Sequence, residues 1–364
     1  MGFRCGIVGM PNVGKSTIFN AMTSAQIESA NYPFCTIEPN VGMVPVPDKR
    51  LDVLSKMAKT KNEVYAQMEF VDIAGLVSGA SKGEGLGNQF LGHIRQVDAI
   101  AHVVRCFEDS NIVHVDGSID PVRDREVINT ELILADLETV SKRLSKTASQ
   151  AKSGDKVYKA QLVILEQMHA LLNDGKPARL LELDDTGKAL MKELCLLTAK
   201  PVLYVANVSE EDIVTGNQWV DQLTEAAKAE NASVVMISGA IEEELSGLSP
   251  EERQDFLADM GLEEPGLNRL IKAGYDLLGL INYFTVGEKE TRAWTIRRGT
   301  KAPQAAGVIH TDFERGFIRA EVIAYDDFVA CGGEVGAKEK GKLRLEGKEY
   351  VVQDGDCMNF RFNV

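Results

Sequence analysis

The chain has 364 residues, 44% of them hydrophobic, which is enough for about two or three domains and a sizeable core. A formal charge of -14 argues against uniform wrapping of nucleic acid; a local basic patch can still persist in an acidic average, so RNA stays open while no DNA partner is expected. The cysteines at 5, 35, 106, 195, 331 and 357 form no CxxC pair and no apolar run reaches the ~18 residues that span a bilayer, so reduced thiols, no signal peptide, no membrane anchor and a cytoplasmic location are expected.

Cys5–Val8 predicts a first strand and Thr17–Met22 a first helix, with Gly9-Met10-Pro11-Asn12-Val13-Gly14-Lys15-Ser16 between them. Strand, glycine loop and helix in that order make a phosphate-binding loop. Backbone N–H groups over Asn12, Val13, Gly14, Lys15, Ser16 and Thr17 can turn inward on a triphosphate, and the helix N-terminus adds its positive dipole. Lys15 can bridge the β- and γ-phosphates, and Ser16 can hold Mg²⁺. Further on, Asn31–Thr36 is a polar loop whose Thr36 would complete the Mg²⁺ shell only with the γ-phosphate present, as switch loops do. Val41–Val46 reads as an extended piece limited to a sheet edge by Pro45 and Pro47.

Met68–Val71 predicts the next strand, which ends in Asp72-Ile73-Ala74-Gly75. Asp72 can reach Mg²⁺ through water, and the Gly75 N–H can touch a γ-phosphate. Leu76 stands where many GTP hydrolases place a water-orienting glutamine, and an apolar side chain cannot do that work. Gly79, Gly83, Gly85 and Gly87 suit a mobile second switch. After the strand Ile100–Val104, His114 lies in a loop expected at the phosphate end of a parallel sheet. Two readings of it stand, a group that positions water or accepts its proton and an ordinary surface histidine.

From about Arg125 to Leu197 no strand-like run occurs. Leu137, Leu144 and Ala151 lie seven apart, with Leu134, Ser141 and Ala148 three residues earlier in each case; after Ser153-Gly154-Asp155, the period returns at Val157, Ile164 and Leu171. This predicts two antiparallel helices, read either as a projecting coiled hairpin or as an amphipathic pair packed on the globule. Pro201–Val205 and Val234–Ile237 then complete a parallel α/β sheet.

The stretch Asn207-Val208-Ser209-Glu210 stands where guanine-selective switches carry N-K-x-D. Val208 lacks the long stem that covers a base, and Glu210 displaces the carboxylate by a methylene. That weakens guanine recognition and removes an obstacle to the unprotonated N1 of adenine, so ATP is the expected nucleotide, with relaxed GTP hydrolysis as the alternative. Asn207 is expected near the base, with Ser238, Gly239 and Ala240 at its other edge.

From near Ile281 the pattern turns to alternating aromatic-rich strands at 283–286, 292–296, 317–322, 349–352 and 358–362, with a short helix around Pro303–Ile309. Arg297, Arg298, Arg315 and Arg319 suit RNA phosphates and Phe313 offers a face to a base, or these residues form the charged outer side of a small sheet domain. Lys142, Arg143, Lys146 and Lys152 of the helical arm can likewise simply be solvated.

With those residues in place, the whole chain resembles the YchF subfamily of Obg-related P-loop proteins, the Obg-like ATPases. The likeness rests on GMPNVGKST at 9–17, NYPFCTIEPN at 31–40, DIAGLVSGASKGEGLGNQFL at 72–91, NVSE at 207–210 and AAGVIHTDFERGFIRAEVI at 305–323. The resemblance implies a P-loop nucleotide-binding domain over 1–127 and 199–280, a coiled-coil insertion over 128–198, and a C-terminal TGS domain of β-grasp, ubiquitin-like fold over 281–364. It also implies ATP hydrolysis despite GTPase ancestry, with Leu76 in place of the catalytic glutamine, association with the ribosome or its RNA, and potassium stimulation carried by Asn12. A nucleotide-gated adaptor with negligible turnover is the competing class.

Overall fold

The structure is a computed structural model that describes residues 3–28, 40–73, 86–109 and 117–363. The chain divides into two compact units, Met1–Met43 with Glu69–Gly274, and Val44–Met68 with Tyr275–Val364.

The first unit is wound on a six-stranded sheet. Its strands are β1 (Arg4–Gly9), β2 (Val41–Pro45), β4 (Gln67–Asp72), β5 (Ala99–Arg105), β6 (Val202–Asn207) and β7 (Ser233–Ile237), in the order β2-β4-β1-β5-β6-β7. The β1–β4, β1–β5, β5–β6 and β6–β7 ladders are parallel. Strands flanked by helices on both faces need apolar residues in every position. β5 (AIAHVVR) and β6 (VLYVAN) are accordingly buried throughout, while β2, with proline at its end, lies at the sheet edge. The helices of this unit are α1 (Lys15–Glu28), α3 (Leu86–Arg95), α4 (Pro121–Ala151), α5 (Lys156–Asn173), α6 (Asp185–Glu193), α7 (Gln218–Lys228), α8 (Gly239–Ser246), α9 (Pro250–Asp259) and α10 (Gly266–Leu277), whose last residues belong to the second unit.

Asp120 caps α4 by accepting from Arg123 N, with Pro121 in the first turn, and Asp155 caps α5 by accepting from Val157 N. Gly154, at φ 88°, turns the chain back between them. Ile133, Val140, Leu165, Met168 and Leu172 are buried in the seam, with Leu137, Leu144 and Ile164 packed against them. Ala151 is buried, but Leu134 is 39% exposed and Val157 62%. The seam row beside 137, 144 and 151 is therefore Ile133, Val140 and Thr147, not the expected 134, 141 and 148. Alternating steps of four and three keep a stripe on one helix face, and that places the companion row four residues before each member of the first. Two of the basic residues on this arm are paired, Lys142 with Glu138 and Arg143 with Glu193 at 2.9 Å.

Buried polar groups fasten α4 to the sheet. Asp136 accepts from Leu197 N and Thr198 N, both at 2.8 Å, and from Thr198 Oγ1 at 2.6 Å. Glu230 pairs with Arg179 and receives Tyr204 OH at 3.3 Å and Asn129 Nδ2 at 3.4 Å, while the Arg125 guanidinium lies 3.7 Å away. His102, 1% exposed, faces Tyr204 at a ring distance of 5.4 Å. Burial, and next the charges of Arg125 and Arg179, hold its imidazole down to about 3, so it is neutral.

The second unit combines α2 (Lys49–Ala58) and β3 (Glu63–Val64) with β8 (Leu280–Thr285), β9 (Thr291–Arg297), α11 (Ala302–Ile309), α12 (Thr311–Arg315), β10 (Phe317–Ala324), α13 (Tyr325–Ala330), α14 (Glu334–Glu339), β11 (Arg344–Glu346) and β12 (Asp356–Phe362). The sheet order is β11-β10-β12-β8-β9-β3. Its ladders are mixed: β8–β9, β10–β11 and β10–β12 antiparallel, β3–β9 and β8–β12 parallel. Ala302, Ala305 and Ala306 bring α11 close to the sheet, and Tyr283 OH donates to Ala305 O at 2.9 Å. Arg50 of α2 bonds Asp354 at 3.1 Å, and its guanidinium lies 5.3 Å from the Phe284 ring centre. The strand expected at 349–352 is a single bridge, Lys301–Val351, and the edge strand is β11 instead. Phe313 is stacked on Phe362 at 3.8 Å and packed on the core, so the ring face expected to meet a base already has a protein partner. No described helix is long and apolar enough to cross a membrane.

Candidate nucleotide site

The loop between β1 and α1 is built by backbone that most residues avoid. Asn12 has φ 63° and Gly14 φ 89°, and a Cβ on Gly14 would collide with Asn207 Nδ2. A side chain at Gly9 would lie 2.7 Å from Val103 O, so β1 can rest on β5 here only as glycine. These two positions explain the glycines of the motif. Val13 is buried as the anchor of the loop, while Asn12 and Ser16 are exposed.

Lys15 opens α1, and its ammonium pairs with the Asp72 carboxylate at the end of β4. The ladder sets Asp72 level with Ile7, two residues before Gly9, and Ile73 N donates to Ile7 O at 3.1 Å. Two motifs far apart in the chain thus meet at the carboxyl ends of adjacent parallel strands, where ligands of such sheets bind. The Ser16 hydroxyl and the Asp72 carboxylate are hard oxygen donors of the kind Mg²⁺ takes.

Asn207 is 4% exposed at the end of β6. Its Nδ2 donates to Val13 O at 2.9 Å, and its Oδ1 accepts from Gly239 N at 3.0 Å. One amide therefore ties the phosphate loop to the start of α8. The Gly239 N–H, expected at the edge of a base, is thus engaged by Asn207. Ser238 Oγ is buried and has no partner among the described residues. Val208 is buried, with its N donating to Ile237 O at 2.9 Å, whereas Glu210 is exposed. Thr17 lies beside Gly239, its methyl 3.4 Å from where a Cβ would stand.

Two residues that sequence reasoning passed over brace the loops that follow β5 and β6. Asn217 accepts from Trp219 N and Val220 N as the cap of α7, and its Nδ2 donates to Cys106 O at 2.8 Å. An asparagine just before a helix signals the cap, but not the second bond. Arg105, buried at the end of β5, donates to Phe107 O at 3.1 Å and Asp109 O at 3.3 Å, holding the start of the loop that leads to His114. Burial pushes the thiols of Cys5 and Cys106 up to about 12, which keeps both protonated and unreactive. Thr36, Gly75, Leu76 and His114 lie outside the described residues.

Sheet, glycine loop, lysine and strand-end carboxylate define a P-loop nucleoside-triphosphate-binding protein, and residues 4–136 match the family model described as 50S ribosome-binding GTPase. Residues 280–363 match the YchF-GTPase_C model, described as a protein of unknown function. With relatives 58% and 59% identical over their full length, the chain belongs to the YchF family. The first, Ribosome-binding ATPase YchF of Bacillus subtilis (strain 168), aligns over 366 residues and 100% of both chains. The second carries the same name in Haemophilus ducreyi and aligns over 364 residues, again 100% of both. The solved structure of the Schizosaccharomyces pombe YchF GTPase matches with a TM-score of 0.91 at 41% identity, covering 99% of this chain and 98% of that one. A GTP binding protein from Pyrococcus horikoshii OT3, at 20% identity and TM-score 0.61, shares the fold.

Proposed function

We propose that this chain is an ATP-hydrolysing switch that works on the ribosome in the cytoplasm; its relatives are named ribosome-binding ATPases. The observation that carries the catalytic half is the meeting of Lys15 with Asp72 at the mouth of the phosphate loop. On binding a triphosphate, Lys15 exchanges the Asp72 carboxylate for β- and γ-phosphate oxygens, and the amides over Asn12–Thr17 cradle the rest. Ser16, Asp72 and Thr36 would hold Mg²⁺, which when bound neutralises charge on the transferred phosphoryl group. The Gly75 N–H reads the γ-phosphate. Leu76 cannot orient water, and His114 takes that role. Asn12 is the residue that would serve potassium.

Adenine is preferred because Val208 is turned into the core and Glu210 outward, leaving no fixed carboxylate for the guanine N1–H. Ser238 Oγ and the Ala240 N–H supply the polar contacts to the base, and Asn207 positions the two loops. Hydrolysis changes how the helical arm and the C-terminal sheet domain engage the ribosome. The test is multiple-turnover phosphate release from ATP, with and without ribosomes, for the native chain, His114→Ala and Lys15→Ala. Release that ribosomes accelerate, abolished by Lys15→Ala and reduced by His114→Ala, is expected. No release in either condition would leave only a nucleotide-gated adaptor, and unchanged turnover in His114→Ala would remove that residue from the mechanism.

A further inference from the structure

β12 overhangs its neighbour. On one side it pairs with β10 from Phe317–Phe362 to Ala324–Asp356. On the other it meets β8 at Cys357–Phe284, and β8 ends one residue later at Thr285. Beside the overhang lies a bay of about 380 Å³, within the roughly 300–1,000 Å³ typical of ligand sites. Thr285, Val286 and Trp294 form one wall, Met358, Phe360 and Phe362 the other. Both walls are already fixed, since Trp294 Nε1 donates to Thr285 Oγ1 at 2.9 Å and Phe362 is stacked on Phe313.

The backbone of β12 is available on that side. Asn363 N donates to Gly316 O at 2.9 Å on the β10 side, so strand alternation turns the N–H and C=O groups of Phe360 and Phe362 toward the bay, beyond the point where β8 borders Met358. The charged side chains that line it are Glu321 and Glu334, and no lysine or arginine does. Glu321 is held by Arg361 at 3.0 Å, while Glu334 stands in the first turn of α14. Phe360 and Phe362 lie on one face of β12 and Glu321, level with Asn359, on the other, so a strand added at this edge would set apolar side chains against the aromatics and cations against the carboxylates, which repel phosphates.

We propose that this bay takes an extended basic segment of a partner protein, added beside β12 as a further strand with a lysine or arginine directed at Glu321 and Glu334. The proposal is independent of the nucleotide reading. Its test titrates the full chain with a fluorescent peptide of alternating valine and arginine, with the same peptide carrying glutamate for arginine, and with a short single-stranded RNA, while amide hydrogen exchange is followed on β12. Saturable binding of the arginine peptide alone is expected, with slowed exchange over 358–362 and affinity lowered roughly tenfold in Glu334→Lys and less in Glu334→Gln. Absence of saturable peptide binding, equal binding of the glutamate peptide, tighter binding of RNA, or unchanged exchange on β12 would each overturn it. The exchange readout uses the native chain, so the proposal stays testable even where a variant fails to fold.

Discussion

Asn207 joins loops that lie 194 and 32 residues away in the chain, using both polar atoms of one buried side chain. Truncating it leaves the Val13 carbonyl and the Gly239 amide without partners, at about 1–3 kcal/mol each. Asn207→Ala is therefore expected to lower the unfolding free energy by about 2–6 kcal/mol in a urea titration and to weaken nucleotide binding along with it. An unchanged midpoint and slope would show that the two loops are held otherwise. His102 gives a pH signature. In the unfolded chain its imidazole protonates near 6.5, whereas the fold holds it down to about 3, so below 6.5 the unfolded state takes up a proton that the native state refuses. Stability from this residue is complete above about pH 6.5 and is lost as pH falls toward about 3. His102→Leu should flatten the fall of Tm across that window relative to the native chain, and an identical slope would contradict the assignment.

At the scale of elements, the helical hairpin separates what a period shows from what it leaves open. The seven-residue spacing of Leu137, Leu144 and Ala151 was legible, and the three lie in or against the seam. The companion row was not, because apolar Ile133, Leu134 and Val140 offer two registers and only the partner helix selects one. Leu165→Ala is expected to cost about 2–5 kcal/mol and Leu134→Ala less than about 0.5 kcal/mol, measured by thermal or urea unfolding. Equal effects would contradict the seam. The parallel strands were legible because runs such as Ile100–Val104 are apolar in every position. Residues 349–352 have the same β-rich composition yet make one bridge, since Tyr350 is drawn aside: its hydroxyl donates to Asp356 at 2.7 Å and receives Arg344 at 3.1 Å. No local pattern announces such a contact.

For the molecule as a whole, the sequence offered a motif at each end of the argument and little about the middle. Glycine spacing and strand context displayed the phosphate loop, and NVSE stands where guanine-selective switches carry N-K-x-D. The inclusion of Val44–Met68 in the second unit was invisible to local pattern, because its links are a two-residue strand, Glu63–Val64, beside β9 and side-chain bonds such as Asn282 Nδ2 to Asp48 at 3.2 Å. The claim on which the functional account turns is that the base site of this GTPase-class fold prefers adenine. Calorimetric titration of the full chain with ATP and with GTP, both with Mg²⁺, tests it most directly. ATP binding roughly tenfold tighter than GTP is expected from the displaced carboxylate of Glu210; GTP binding roughly tenfold tighter than ATP, or no heat from either, would contradict it.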